Sequence, residues 1–216
     1  MKTFREKVAV ITGAGSGMGR YLAILLAKDG ADVCVCDVNE QTLNETVGML
    51  RKYNVSVSSH LLDVSDKESI EALPQKVIDQ HGKVDLVFNN AGVTTGAHFK
   101  DMDENNWDWV MGINFDGVVN STRAFIPHLI NNTEAAIVNT SSIFGMVTVP
   151  GQTVYHATKF AVRGFTESLA LEMAQTNPNL QIHCVHPGHI GTNIAATARM
   201  SDEDFESTQP RSSIFT

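Results

Sequence analysis

Six short runs of branched apolar residues, separated by longer amphipathic stretches, constrain this chain before any motif is considered. The runs are KVAVIT (7–12), DVCVCD (32–37), VSVSSHLL (55–62), VDLVFN (84–89), AAIVNTS (135–141) and LQIHCVH (180–186). They are rich in Val and Ile and bounded by Gly, Asp or Asn, the pattern of buried strands. The stretches between them predict helices over 18–30, 40–52 and 65–82, a pair of segments across 104–131, and one over 153–175. Gly30 is expected to end the first helix. Ser65 and Glu68 are spaced as a capping box, and Pro74 is expected to kink or split the helix that follows. Repeated strand–helix–strand order means parallel strands joined by right-handed crossovers, with helices on both faces. The expected class is α/β: a single doubly wound parallel sheet. With 216 residues, 43% of them hydrophobic, one core and one domain over 1–192 are expected, followed by a short polar tail, 193–216.

Bulk properties remove several function classes. The net charge is -8 and no block of Lys and Arg occurs, so nucleic acid is not an expected partner. The N-terminal apolar run, Val8 to Ile11, is too short for a secretory signal, and no stretch approaches a membrane span, so no membrane role is expected. Three cysteines, Cys34, Cys36 and Cys184, fit a reduced cytoplasmic protein better than a disulfide scaffold.

Doubly wound sheets bind ligands beyond the carboxyl ends of their strands, and every strand end here carries small or polar residues. After the first comes TGAGSGMG, with Gly13, Gly15, Ser16, Gly17, Met18 and Gly19 ahead of a helix. The glycines permit a tight turn, and the helix N-terminus can receive a phosphate. After the second comes Asp37, either a helix N-cap or an acceptor for the adenosine ribose hydroxyls. In the second role it repels a 2′-phosphate. No Lys or Arg lies at 13–19 or 38–39, so NAD is favoured over NADP. Asp63 and Val64 follow the third strand, Asn90, Ala91 and Gly92 the fourth, Ser142 the fifth, and Pro187 and Gly188 the sixth. Tyr155 and Lys159, at i and i+4, share one face of the helix over 153–175.

In that order, TGAGSGMG, NNAG, Asn114, Ser142, YHATK and HPGHIGT resemble the short-chain dehydrogenase/reductase family in its main NAD(P)-dependent branch, over residues 5 to about 193. The resemblance implies a Rossmann-like sheet of strand order 3-2-1-4-5-6. Here the family's seventh strand is expected to be absent, and the resemblance makes 1–192 the dinucleotide-binding catalytic domain and 193–216 a partial substrate lid. The resemblance makes Tyr155 the general acid/base, with Lys159 lowering its pKa and holding the nicotinamide ribose. Ser142, selected over Ser141 because it stands thirteen residues before the tyrosine, would stabilise the substrate oxygen. Asn114 would hold a water linking Lys159 to solvent. Ile190 and Thr192 would contact the nicotinamide carboxamide, Asp63 and Val64 the adenine, and Asn90 to Gly92 would line the cofactor cleft. The implied reaction is interconversion of a small-molecule secondary alcohol and its ketone, or an aldehyde. The alternative is an NAD-binding scaffold without turnover. A homodimer through 104–131 and 153–175 is implied as well. A metal site is not expected. His183 and His186 stand an odd number of residues apart on a strand and point to opposite faces, and Pro187-Gly188 redirects His189. No Gly-x-Ser-x-Gly elbow surrounds Ser142, which argues against a serine hydrolase.

Overall fold

The computed structural model describes residues 3–188, 190, 194 and 198–200. Thr192, His189 and nearly all of the expected 193–216 tail and partial lid lie outside the described residues. The strands are β1 (Val8–Thr12), β2 (Asp32–Asp37), β3 (Val57–Leu61), β4 (Leu86–Asn89), β5 (Thr95–Gly96), β6 (Ala135–Thr140), β7 (Leu180–Val185) and β8 (Arg199–Met200). The helices are α1 (Gly17–Lys28), α2 (Glu40–Leu50), α3 (Lys67–His81), α4 (Glu104–Met111), α5 (Gly117–Leu129) and α6 (Thr153–Thr176).

Six strands form one parallel sheet in the order β3-β2-β1-β4-β6-β7. These are the six apolar runs in the expected order. The expected absence of a seventh strand needs correction. Two further strands, β5 and β8, pair with each other in a separate two-stranded sheet. Each is two residues long, too short to leave an apolar run in the sequence.

Alternation along each strand divides the core in two. Val8, Val10, Cys34 and Cys36 face Ile70, Leu73 and Val77 of α3 and Phe125 and Leu129 of α5, with Leu169 and Met173 of α6 packed against them. Ala9, Ile11, Val33 and Val35 face Ala23, Leu26 and Ala27 of α1 and Leu43 and Leu50 of α2. The Cys34 and Cys36 sulfurs lie 4.0 Å apart on the first face, both buried. Strand β7 departs from the two-sided pattern: Leu180 and Ile182 are buried while Gln181 and His183 are exposed.

The helix ends follow local chemistry. α1 stops at Lys28 with Asp29 as its cap, and Gly30 follows at φ +90°. The cap of α3 is Asp66, which accepts from the N–H groups of Glu68 and Ser69, and not the expected Ser65. Ser65 is already engaged with Asp63. Pro74 does not split α3, which runs through it as one helix with Pro74 buried. The largest surprise lies between α4 and α5. Residues Gly112–Asp116 form a π-helical turn that carries the chain from one helix into the next without a loop. Such turns insert an extra residue and re-aim the side chains on it.

Candidate active site

The glycine-rich loop joins β1 to α1. Gly13 has φ +64°, and a Cβ there would lie 2.8 Å from the Ala91 Cα. The fourth strand end is buttoned onto this loop: Thr12 Oγ1 accepts from the N–H groups of Asn90 (3.0 Å) and Ala91 (3.2 Å), while Asn90 Nδ2 donates to the Thr12 carbonyl at 3.1 Å. Ser16 occupies the N-cap of α1 without a side-chain capping bond, and the first turn holds no acidic residue. The positive end of this helix is therefore uncompensated by its own side chains, which suits an anion such as a pyrophosphate. Asp37 is not a helix cap. Asn39 caps α2, accepting from the Thr42 N–H. The Asp37 carboxylate instead receives the Gly15 N–H at 2.7 Å and the Asn39 N–H at 2.9 Å. It is thus held at the rim of the loop. Asp63 accepts from both the N–H and the hydroxyl of Ser65, and Val64 is buried, packed against Gly117.

The second half of the site is built on β6, α6 and the π-helical turn. Asn114, fully buried on that turn, accepts from the Val93 N–H at 2.8 Å and donates to the Val93 carbonyl at 2.9 Å and to Thr158 Oγ1 at 3.2 Å. Lys159 is buried, and its Nζ donates to the Thr140 carbonyl at 2.9 Å. It lies 5.5 Å from the centre of the Tyr155 ring. A Cβ on Gly92 would sit 3.4 Å from Asn114 Oδ1 and 3.5 Å from Lys159 Nζ, so the two polar groups converge on one spot beside Gly92. Ser142 opens the turn after β6, and its Oγ accepts from the Phe144 N–H at 3.1 Å. Ser141 is buried and donates to the Lys159 carbonyl at 2.8 Å.

Electrostatics corrects one expectation. The Tyr155 pKa is raised, not lowered: burial disfavours the phenolate and the Ser142 hydroxyl only partly offsets this. The Lys159 ammonium is itself pulled down to about 8 by burial. With its Nζ turned to the Thr140 carbonyl, it does not outweigh the desolvation of the phenol.

Several supporting residues were not legible in advance. His156 is buried between Tyr155 and Lys159 in sequence, on another side of α6. Its Nε2 accepts from the Val149 N–H at 3.0 Å, so the Nδ1, 3.0 Å from the Phe144 carbonyl, carries the proton. This imidazole holds the 144–149 segment that follows Ser142. Gly145 belongs to the same support. A Cβ there would crowd Ser141 Oγ and come within 2.7 Å of the Lys159 carbonyl. Pro187 supplies a carbonyl to the Ile143 N–H at 3.0 Å, and His186 Nδ1 reaches the Ser142 carbonyl at 3.2 Å. Gly188 and Ile190 are exposed beyond them. Among the described residues no three His, Cys, Asp or Glu side chains converge as a metal site would need. No helix among them is long and apolar enough to cross a membrane.

The family model for short chain dehydrogenases matches residues 7–203. This chain belongs to the short-chain dehydrogenase/reductase family. Its relatives include SadH of Mycobacterium tuberculosis, 41% identical over 208 residues, spanning 96% of this chain and 75% of that protein. The 3-oxoacyl-[acyl-carrier-protein] reductase FabG of Thermotoga maritima is 37% identical over 186 residues, 86% of this chain and 75% of that one. Among solved structures, a short-chain dehydrogenase/reductase from Burkholderia phymatum in complex with NAD superposes with a TM-score of 0.88 at 36% identity, covering 98% of this chain and 73% of its own. Membership places this dehydrogenase/reductase among the oxidoreductases.

Proposed function

We propose that this dehydrogenase/reductase interconverts a small secondary alcohol and its ketone, or an aldehyde, with NAD as cofactor. The observation that carries the reading is the Tyr155 phenol set between the Ser142 hydroxyl and a buried Lys159, whose Nζ lies 5.5 Å from the centre of the Tyr155 ring and meets Asn114 beside Gly92, together with a glycine-rich loop ending at a bare helix N-terminus. The residues present fit a dinucleotide. Gly13, Gly15, Ser16, Gly17, Met18 and Gly19 would hold the pyrophosphate, Asp37 the adenosine ribose, and Asp63 and Val64 the adenine. Asn90, Ala91, Gly92, Pro187, Gly188, Ile190 and Thr192 would line the nicotinamide end. When bound, NAD would accept or supply the hydride. The chain's own part is the proton. Tyr155 gives it to, or takes it from, the substrate oxygen, while the Ser142 hydroxyl donates a hydrogen bond to that oxygen as charge develops. Lys159 would hold the nicotinamide ribose, and Asn114 would place a water that connects Lys159 to solvent. The deciding experiment is NADH oxidation with a panel of ketones and aldehydes. Nucleotide binding without oxidation across the panel would favour a silent scaffold.

The choice of NAD over NADP rests on Asp37 at the loop rim. NADH is expected to bind at least about tenfold more tightly than NADPH, a difference of about 1.4 kcal/mol. Asp37→Ala is expected to narrow that gap, as read by nucleotide fluorescence titration. Equal affinities in the unmodified protein would remove the assignment.

A homodimer through segments 104–131 and 153–175 is part of the same proposal. α6 leaves Phe160 and Leu171 exposed, and isologous pairing is the commonest closed assembly. Sedimentation at micromolar concentration is expected to give a dimer. A monomer or a stable tetramer would count against it. With Cys34, Cys36 and Cys184 all free thiols, we assign the protein to the reducing cytoplasm.

A further inference from the structure

Arg20 stands one position beyond the glycine-rich loop, and its guanidinium returns to that loop. Its Nη2 donates to the Gly15 carbonyl, to the Thr42 carbonyl at 3.1 Å and to Glu45 Oε2 at 2.9 Å, while Nε donates to Thr46 Oγ1 at 3.0 Å. Thr46 passes the contact on, donating to the Ala14 carbonyl at 2.9 Å. The opposite end of the Gly15 residue, its N–H, is held by Asp37 at 2.7 Å. A guanidinium and the ribose-facing carboxylate thus grip the two ends of one residue. The spot is closely built. A Cβ on Gly15 would lie 2.6 Å from Thr42 Oγ1 and 2.8 Å from the Asp37 carboxylate.

The charges settle what this arrangement does. Arg20 and Glu45 cancel, leaving Asp37 as the uncompensated charge beside the loop, and it repels a 2′-phosphate. Removing Asp37 alone leaves a neutral rim, because Arg20 remains occupied by Glu45. Only when Glu45 is also neutralised does the rim become positive, with the guanidinium charge and the contact that Glu45 gives up turned toward a phosphate one residue away. The Glu45 side chain is 47% exposed and the Arg20 side chain 18% exposed, so the pair can open toward solvent without disturbing the core.

We infer that Arg20 and Glu45 form a second determinant of cofactor specificity, a masked guanidinium that receives a 2′-phosphate once Glu45 no longer cancels it. The inference rests on the NAD-binding reading above. It makes Glu45 a positioning residue that acts through Arg20.

The test is equilibrium titration of NADPH and NADH by fluorescence on the intact protein and on Asp37→Ala, Glu45→Gln, Asp37→Ala/Glu45→Gln and the latter with Arg20→Met. The double variant is expected to bind NADPH at least about fivefold more tightly than Asp37→Ala, with NADH changed less than about twofold. Arg20→Met is expected to abolish the gain, and about 0.5 M NaCl to reduce it strongly, since the contact is ionic and exposed. A loosened loop would instead weaken both nucleotides alike and would not respond to salt. No gain over Asp37→Ala, or a gain that survives Arg20→Met, overturns the inference. If the double variant does not fold, Glu45→Gln alone, at an exposed site, must still improve NADPH binding in an Arg20-dependent way. Failure to do so overturns the inference. Equal binding of NADH and NADPH by the unmodified protein would sink the NAD preference, while the Glu45–Arg20 comparison would still decide the masking.

Discussion

Tyr155→Phe is expected to lower turnover by roughly 10³-fold while leaving the NADH dissociation constant within about twofold. The phenol oxygen carries the proton; the ring carries the packing. Phenylalanine keeps the edge-to-face contact with Phe144, whose ring centre lies 6.3 Å away, and it removes a polar group whose burial already disfavours ionisation. Folding should therefore be spared. Ser142→Ala is expected to cost about 10²-fold in turnover, again with the cofactor bound normally. Steady-state kinetics and fluorescence titration on the two variants separate these effects. Retention of more than a tenth of the activity in Tyr155→Phe would refute the mechanism.

Lys159→Met is expected to abolish measurable turnover, weaken nucleotide binding, and make the protein more stable. The ammonium is buried, with the Thr140 carbonyl as its hydrogen-bond acceptor and, among the described residues, no carboxylate in an ion pair with it. A fall from the usual 10.5 to about 8 corresponds to a burden of about 3 kcal/mol on the folded state. Part of the relief is lost with the Thr140 hydrogen bond, so a net gain of about 1–2 kcal/mol is expected at pH 7. The pH dependence follows from the direction of the shift. Between about 8 and 10.5 the unfolded chain binds more protons at this lysine than the folded one does, so stability rises with pH there. The burden is present in full below about 8 and is relieved across that window. The variant's advantage in denaturant midpoint should accordingly be greatest at pH 7 and shrink as the pH approaches 10.5. Taking the difference between the two proteins cancels the other titrating groups. An advantage that grows over that range would show that the ammonium is not the source.

The sheet could be foreseen because each of its six strands is long enough to leave a run of Val and Ile, and parallel order follows from the helices between them. The strand-end residues could be foreseen because the sheet geometry says where to look. The features that escaped are of other kinds. β5 and β8 are two residues each and leave no periodic signal. The π-helical turn over Gly112–Asp116 looks in sequence like an interruption between two helical segments, and only its hydrogen bonding shows that the chain stays helical. The α3 cap shifted by one residue because Asp63 captures Ser65 first. The direction of the Tyr155 shift escaped for a different reason. A lysine one turn away is visible in sequence, but the burial that outweighs it is a property of the packed site. Arg20 lies one residue past the glycine-rich loop, inside α1, and its sequence position does not show that its guanidinium turns back onto Gly15 and pairs with Glu45.

The groups that seat the catalytic side chains are mostly main-chain atoms. Asn114 grips the N–H and C=O of Val93, Lys159 the carbonyl of Thr140, Ser141 the carbonyl of Lys159, and His156 the carbonyl of Phe144 and the N–H of Val149. A peptide group offers the same hydrogen bond whatever side chain it carries. Val93 and Val149 can therefore be exchanged for residues of other shape and polarity while the scaffold of the reaction stays registered, provided the backbone path is kept; Phe144 is different, because its ring also packs against Tyr155 and His156. The side chains of Val93 and Val149 are thus free to drift in sequence while the peptide groups they carry go on seating Asn114 and His156.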